Sequence, residues 1–232
     1  MQGSPLGSSS ADLSGEGAHR SNRDRLGEEV RSLGDPTSDD DPRMYDDALV
    51  LRMAQIISVR LPDDILPEYR STPVGLLLQY HNLGRITQSA TTPQLLIGMC
   101  MDSRKSLRIP TDFAFVLRTA GANMRDNEFR ISYAIAVGGV RTIVLIAHTD
   151  CGMARLTERR EQFISGLMNA AGWDEARATR HFEESAPKFG IRDEVEFVLR
   201  EAERLRTIYP RITVVPLLYR VEDDLLYQLR PD

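Results

Sequence analysis

Two short runs of this chain carry the residue types that chemistry needs. The first is Cys100-Met101-Asp102-Ser103-Arg104 and the second is His148-Thr149-Asp150-Cys151-Gly152-Met153. Cys100 and Cys151 are the only two cysteines in 232 residues. Each run follows an apolar, strand-like stretch: Leu95-Leu96-Ile97-Gly98-Met99 before the first, Thr142 to Ala147 before the second. Two thiolates and one imidazole at the ends of two strands form a zinc site with three protein ligands and one open coordination position. A structural zinc usually takes four protein ligands, so three point to a metal that does chemistry. A disulfide between Cys100 and Cys151 is the alternative that cysteine arithmetic allows. It leaves His148, Asp102 and Arg104 without a role. Alone, His148 reads as a hydrogen-bonded core histidine; Cys151 three residues on makes it a metal ligand.

Asp102 and Arg104 are two residues apart and share one face of an extended segment. A guanidinium can hold a carboxylate through two parallel hydrogen bonds. Held in this way, Asp102 stays ionised and off the metal, free to accept a hydrogen bond from metal-bound water and orient its lone pair. The plain alternative is a surface ion contact worth less than about 1 kcal/mol.

Composition narrows the class. The chain is 41% hydrophobic and 27% charged, enough to bury a core in one domain and leave a polar tail. Its formal charge is -5, and no basic stripe suggests nucleic acid as a partner. The apolar stretches are strand-sized, below the ~20 residues that span a bilayer, so no membrane segment is expected. Residues 1–44 are rich in Ser, Gly, Asp, Arg and Pro without apolar periodicity and read as a disordered tail. The tail lacks the apolar core of a secretory signal, and Asp12, Glu16, Asp24 and Glu28 argue against a transit peptide. A cytoplasmic protein is expected. The tail is read as a solvated arm, the sharper reading being a segment that docks a protein partner.

Residues 45–232 read as the zinc-dependent domain. Residues 45–59 show a loose helical pattern. A helix runs from Pro73 to Leu83, with Pro73 in its first turn and Gly84 as its stop. Strand candidates are 95–99, 113–118, 141–147 and 212–218. Between the second and third lies a helix from Asn127 to Gly138, apolar nearly all round and therefore expected to be buried. Charged surface helices are expected over 155–166 and 170–184, and an amphipathic one over 192–208. Pro216 pushes the end of the last strand toward a sheet edge, and Val221 to Leu229 turns back as a hairpin. The alternation implies an α/β fold, a mostly parallel central sheet flanked by helices. Ligands of such sheets bind beyond the carboxyl ends of the strands, where both motif runs lie. Cys151 is also expected just before a helix whose dipole favours its thiolate.

These motifs resemble the β-class carbonic anhydrases, and more narrowly their short clade with Cys-Met-Asp-Ser-Arg and His-Thr-Asp-Cys-Gly-Met. The likeness extends through Arg118-Thr119-Ala120-Gly121 and the helix Phe129 to Val140, covering roughly Leu76 to Leu229. The resemblance implies one zinc per subunit on Cys100, His148 and Cys151, with Asp102 and Arg104 catalytic. It implies attack of zinc-bound hydroxide on carbon dioxide to give bicarbonate and a proton. It also implies a second state in which Asp102 leaves Arg104 for the metal, and a homodimer or higher homo-oligomer whose interface helps line the pocket. Phe113, Phe115, Tyr133, Leu77 and Leu78 are pocket candidates, with plain core packing as the alternative. His81 is a proton-relay candidate, with an unperturbed pKa of about 6.5, or else an exposed helix residue. The chain departs from the family at Thr111-Asp112, where a Gly-Asp pair is usual, and at Thr119, where an asparagine is usual. Two other activities share this ligand set: hydrolysis of carbonyl sulfide or carbon disulfide, and a non-catalytic zinc-bearing scaffold.

Overall fold

The computed structural model describes residues 54–85 and 91–230. The expectations for the tail and for most of the 45–59 helix lie outside them. Among the described residues the strands are β1 (Gln55–Ile57), β2 (Leu95–Cys100), β3 (Ala114–Thr119), β4 (Thr142–His148), β5 (Thr213–Arg220) and β6 (Leu225–Arg230). They form one sheet in the order β1-β6-β5-β4-β2-β3. The β3-β2-β4-β5 portion is parallel. β6 returns antiparallel to β5, and β1 pairs antiparallel with β6 at the edge. The α-helices are α1 (Pro73–Leu83), α2 (Glu128–Ala136), α3 (Arg160–Ala171), α4 (Glu175–Phe189) and α5 (Glu194–Ile208).

β2 and β4 are buried along their whole length, as central parallel strands covered on both faces must be. Their side chains alternate between two cores. Ile143, Leu145 and Ala147 pack with Ile131 and Ala134 of α2 and with Val198, Leu199, Ala202 and Leu205 of α5. Val144 and Ile146 pack with Val74, Leu77, Leu78 and Tyr80 of α1. Each such side chain, fully buried, contributes about 1.5–3 kcal/mol. Gly98 in β2 has a packing reason. A Cβ there would lie 2.8 Å from the sulfur of Met124 and 2.9 Å from Leu145.

α1 is built as its sequence signals suggest. Thr72 caps it by accepting from the Val74 N–H, Pro73 starts it, and Gly84 ends it at φ 62°. Other expectations need correction. Residues 55–57 form the edge strand β1 rather than a helix, because β6 offers them an open antiparallel edge. Pro216 is not at a sheet edge: β5 lies between β4 and β6. The β5–β6 pairing begins only at Leu217, so the proline sits just ahead of that ladder. The surface helices are shifted toward the C-terminus, since Gly172 stops α3 at φ 66° and Asp174 caps α4 through the Arg177 N–H.

The largest surprise is α2. Only Ile131 and Ala134 are buried in it, while Phe129 is 84% exposed, Tyr133 55% and Val137, just beyond it, 68%. These three are four residues apart and lie along one face. The helix is apolar on two sides, and the sheet covers only one of them.

Candidate metal centre

β2 and β4 are neighbouring parallel strands, so their carboxyl ends lie at the same edge of the sheet. Cys100 ends β2 and His148 ends β4. Asp150 then adopts a left-handed φ of 56°, and the reversal brings Cys151 back beside His148. Short polar Asp tolerates that conformation better than most non-glycine residues. The ligand atoms of Cys100, His148 and Cys151 all lie within 4.8 Å of one another. All three residues are buried.

The imidazole is oriented for coordination. His148 Nδ1 lies 2.9 Å from the Thr149 carbonyl and donates its proton there. Nε2 therefore carries a lone pair, and it has no hydrogen-bond partner among the described residues although it is buried. A buried lone pair without a partner is costly, and a divalent cation satisfies it. The thiols fit the same reading. Both are free, and the Cys151 S–H donates to Cys100, drawing the Cys100 thiol far below its usual range. The N–H groups of Asp102 and Gly121 add to this stabilisation. The proton that remains is held on Cys151, whose pKa is pushed up first by the Cys100 thiolate. Soft sulfur and imidazole nitrogen in a buried, three-donor cluster suit zinc.

The expected helix after Cys151 is a four-residue 3-10 turn, Gly152–Arg155. So short a turn carries little macrodipole. Local N–H groups of Met153 and Ala154 favour the Cys151 thiolate instead, and the Cys151 N–H donates to Glu194 at 3.0 Å.

Asp102 and Arg104 meet as the spacing suggests. Arg104 donates to Asp102 from Nη2 at 2.7 Å and from Nε at 3.2 Å to both carboxylate oxygens, and its backbone N–H adds a bond of 2.9 Å. The guanidinium holds the Asp102 carboxyl well below the usual carboxylate range. Asp102 Oδ2 lies 3.9 Å from His148 Nε2.

Sequence reasoning missed the rest of this frame. Arg104 also donates to Asp150, 2.8 Å to a carboxylate oxygen and 2.8 Å to the carbonyl, tying the two motif runs together. Arg155 pairs with the other oxygen of Asp150. Arg118 donates to the carbonyls of Cys100 at 3.2 Å and Lys105 at 3.1 Å, clamping the loop after β2. Gly121 sits at φ 62°, a conformation that L side chains rarely adopt, and a Cβ there would lie a tight 3.3 Å from Met153 Cβ. Arg118 and Gly121 were visible only as members of a resemblance, without a stated task.

Of the pocket candidates, Leu77, Leu78 and Phe113 are plain core and belong to the α1 side of the sheet. Phe115 is partly buried against the other core, and Tyr133 is exposed. His81 is neither exposed nor a relay. It is 1% exposed, its Nδ1 accepts from the Arg108 N–H at 3.1 Å and its Nε2 donates to the Asp224 carbonyl at 3.1 Å.

Comparison with known proteins gives a consistent identity. The family profile described as carbonic anhydrase matches residues 95–215, over half of the chain. Two curated relatives are both named carbon disulfide hydrolase. The one from Acidianus sp. (strain A1-3) is 35% identical over 95 residues, 38% of this chain and 47% of that protein. The one from Saccharolobus solfataricus is 34% identical over 82 residues, 33% of this chain and 40% of that protein. The chain thus spans about half the length, or less, of the curated relatives it matches. Among solved structures, the carbonic anhydrase of Streptococcus mutans aligns with 65% of this chain and 91% of its own, at 22% identity and a TM-score of 0.48. The match across β2 to β5, with the Cys–His–Cys cluster at the strand ends, makes this chain a member of the carbonic anhydrase family, of the β class its motifs resemble.

Proposed function

We propose that this protein catalyses the reversible hydration of carbon dioxide to bicarbonate and a proton, with Cys100, His148 and Cys151 holding one zinc ion. The observation that carries the reading is the buried, unpartnered Nε2 of His148, with two thiols beside it and Asp102 Oδ2 3.9 Å away. When bound, zinc supplies a water acidic enough to serve as a nucleophile near neutral pH. The protein's own residues supply the orientation. Asp102, kept anionic by Arg104, is an acceptor only, so it fixes which way a neighbouring O–H points and leaves a lone pair facing the substrate. Arg104 keeps Asp102 turned toward itself by its fork of hydrogen bonds. The Asp150 bridge keeps Arg104 from following solvent. Burial of the cluster limits access to small, apolar molecules and strengthens each of these interactions.

A second reading has its own support. Both curated relatives carry the name carbon disulfide hydrolase. The same oriented nucleophile serves either a linear dioxide or its sulfur analogues. One experiment separates them: stopped-flow hydration of carbon dioxide beside sulfide release from carbon disulfide and carbonyl sulfide, on protein of measured zinc content. Hydration at enzymatic rates with little sulfide release supports the first reading. Strong sulfide release with negligible hydration replaces it with the second.

The exposed apolar face of α2, with Phe129, Tyr133 and Val137, supports a homodimer as the working form. Contiguous exposed apolar groups of this size on one helix mark an interaction surface.

A further inference from the structure

Lys105, in the loop after Cys100, is a buried charged residue that the mechanism above does not use. Its side chain is fully buried, and its Nζ has no hydrogen-bond partner among the described residues. Burying an ammonium without acceptors is costly, so the fold retains this amine against its own stability. Burial pushes its pKa down, while the negative charges of Cys100 and Asp102 pull it back up. The loop is not free to relieve the strain, because Arg118 clamps the Lys105 carbonyl at 3.1 Å. The amine is aimed at a specific place. Nζ lies 4.0 Å from Asp102 Oδ2, the same oxygen that lies 3.9 Å from the unpartnered Nε2 of His148. Two buried polar atoms without partners thus flank one carboxylate oxygen, whose side chain is 17% exposed. The Arg104 side chain is already committed to Asp102 and Asp150.

We propose that Lys105 and Asp102 together form a donor–acceptor pair that recognises hydrogen carbonate in the site. Asp102 accepts from the anion's hydroxyl, and Lys105 donates to a charged oxygen of the same anion. An anion bearing its own O–H satisfies both groups at once, whereas thiocyanate or a halide offers Lys105 an acceptor and Asp102 only repulsion. The assignment rests on the carbon dioxide reading above and names the pair that makes the site prefer that reaction's product over simple anions.

The test uses the full-length zinc-loaded protein and its Lys105→Met, Lys105→Gln and Lys105→Arg variants. Calorimetric titration with bicarbonate and with thiocyanate is run beside thermal unfolding. Lys105→Met should lose bicarbonate affinity by roughly ten- to hundredfold, the equivalent of one hydrogen bond to a charged group. Thiocyanate, which the wild type should bind more weakly than bicarbonate because Asp102 repels it, should lose affinity as well, the melting temperature should hold or rise, and Lys105→Arg should recover part of the binding. Lys105→Gln keeps the test open if the methionine variant does not fold. Bicarbonate affinity within twofold of wild type in the folded variants, or a wild type that binds thiocyanate as tightly as bicarbonate, overturns the proposal. A wild type that binds bicarbonate in this Lys105-dependent way yet hydrates no carbon dioxide defeats the reaction assigned above and supports the pair. A wild type that binds no bicarbonate defeats both.

Discussion

Among the described residues two histidines are buried, each 1% exposed, and the fold treats them in opposite ways. His81, on α1, sits in a closed polar knot. One ring nitrogen accepts from the Arg108 N–H and the other donates to the Asp224 carbonyl. His148, at the end of β4, has one nitrogen tied to the Thr149 carbonyl and the other left bare. The first ring is a cross-brace between α1 and the turn joining β5 to β6. The second has a lone pair that only a guest can use. Burial is equal, so burial does not mark function here; the unfilled valence does.

That contrast is broken most sharply at His148. His148→Ala should lose zinc and turnover together, with the rate falling about a thousandfold or more, since several kcal/mol of transition-state stabilisation go with the metal. Metal analysis beside the hydration assay checks it. Asp102→Ala comes next. It should keep its zinc and lose about a hundredfold in kcat, the scale of a positioned acceptor. Zinc-replete Asp102→Ala as fast as wild type at every pH would remove the role given to that carboxylate.

At His81 the effect should move from rate to stability. His81→Gln should cost about 1–3 kcal/mol at neutral pH, the penalty for disturbing a buried hydrogen-bonded pair, while retaining zinc and turnover per folded molecule. Acid sensitivity sharpens the point. Burial first, then the Arg108 charge, lowers the His81 pKa to about 4, against opposition from Asp224. Its folded pKa is below its unfolded value of about 6.5, so the unfolded chain takes up the proton first. The neutral ring's contribution is complete above about pH 6.5 and is lost as pH falls toward 4, a change of about 3 kcal/mol. Denaturant titrations at pH 7 and pH 4.5 should show a smaller acid loss for His81→Gln than for wild type. Equal losses would mean that His81 is not the group being titrated.

The smallest effect on the single chain is expected at the α2 face. Tyr133→Glu alters an exposed position, so the monomer's stability should change by no more than about 0.5 kcal/mol. Light scattering at micromolar concentration should nevertheless show a shift from dimer to monomer. An unchanged mass would place any self-association elsewhere.

Much of this was legible in the residues. Unbroken apolar runs of strand length mark β2, β4 and β5, because central parallel strands must be apolar on both faces. Thr72, Pro73 and Gly84 mark the ends of α1. The metal cluster was readable because its chemistry demands rare residue types at short spacing. The unread parts depend on partners distant in sequence. β1 has only a short β-branched signal, Ile56-Ile57 and Val59, and forms because β6 is there to pair with. α2 looked buried because its composition is apolar all round, yet a composition does not say which side the core covers. His81 and His148 are the same residue type in apolar surroundings, and only the positions of Arg108, Asp224 and Thr149 distinguish them. The frame of Arg104, Asp150 and Arg118 was hidden for the same reason: each bridges segments that the chain order keeps apart.

The central claim is a zinc ion held by two sulfurs and one imidazole, with one position left for solvent. Zinc-edge X-ray absorption on the purified protein tests it directly. The expected spectrum has two sulfur scatterers near 2.3 Å, one imidazole nitrogen and one further light atom near 2.0 Å, at about one zinc per chain. Active protein that carries no zinc, or in which Cys100 and Cys151 are joined as a disulfide, would contradict the account.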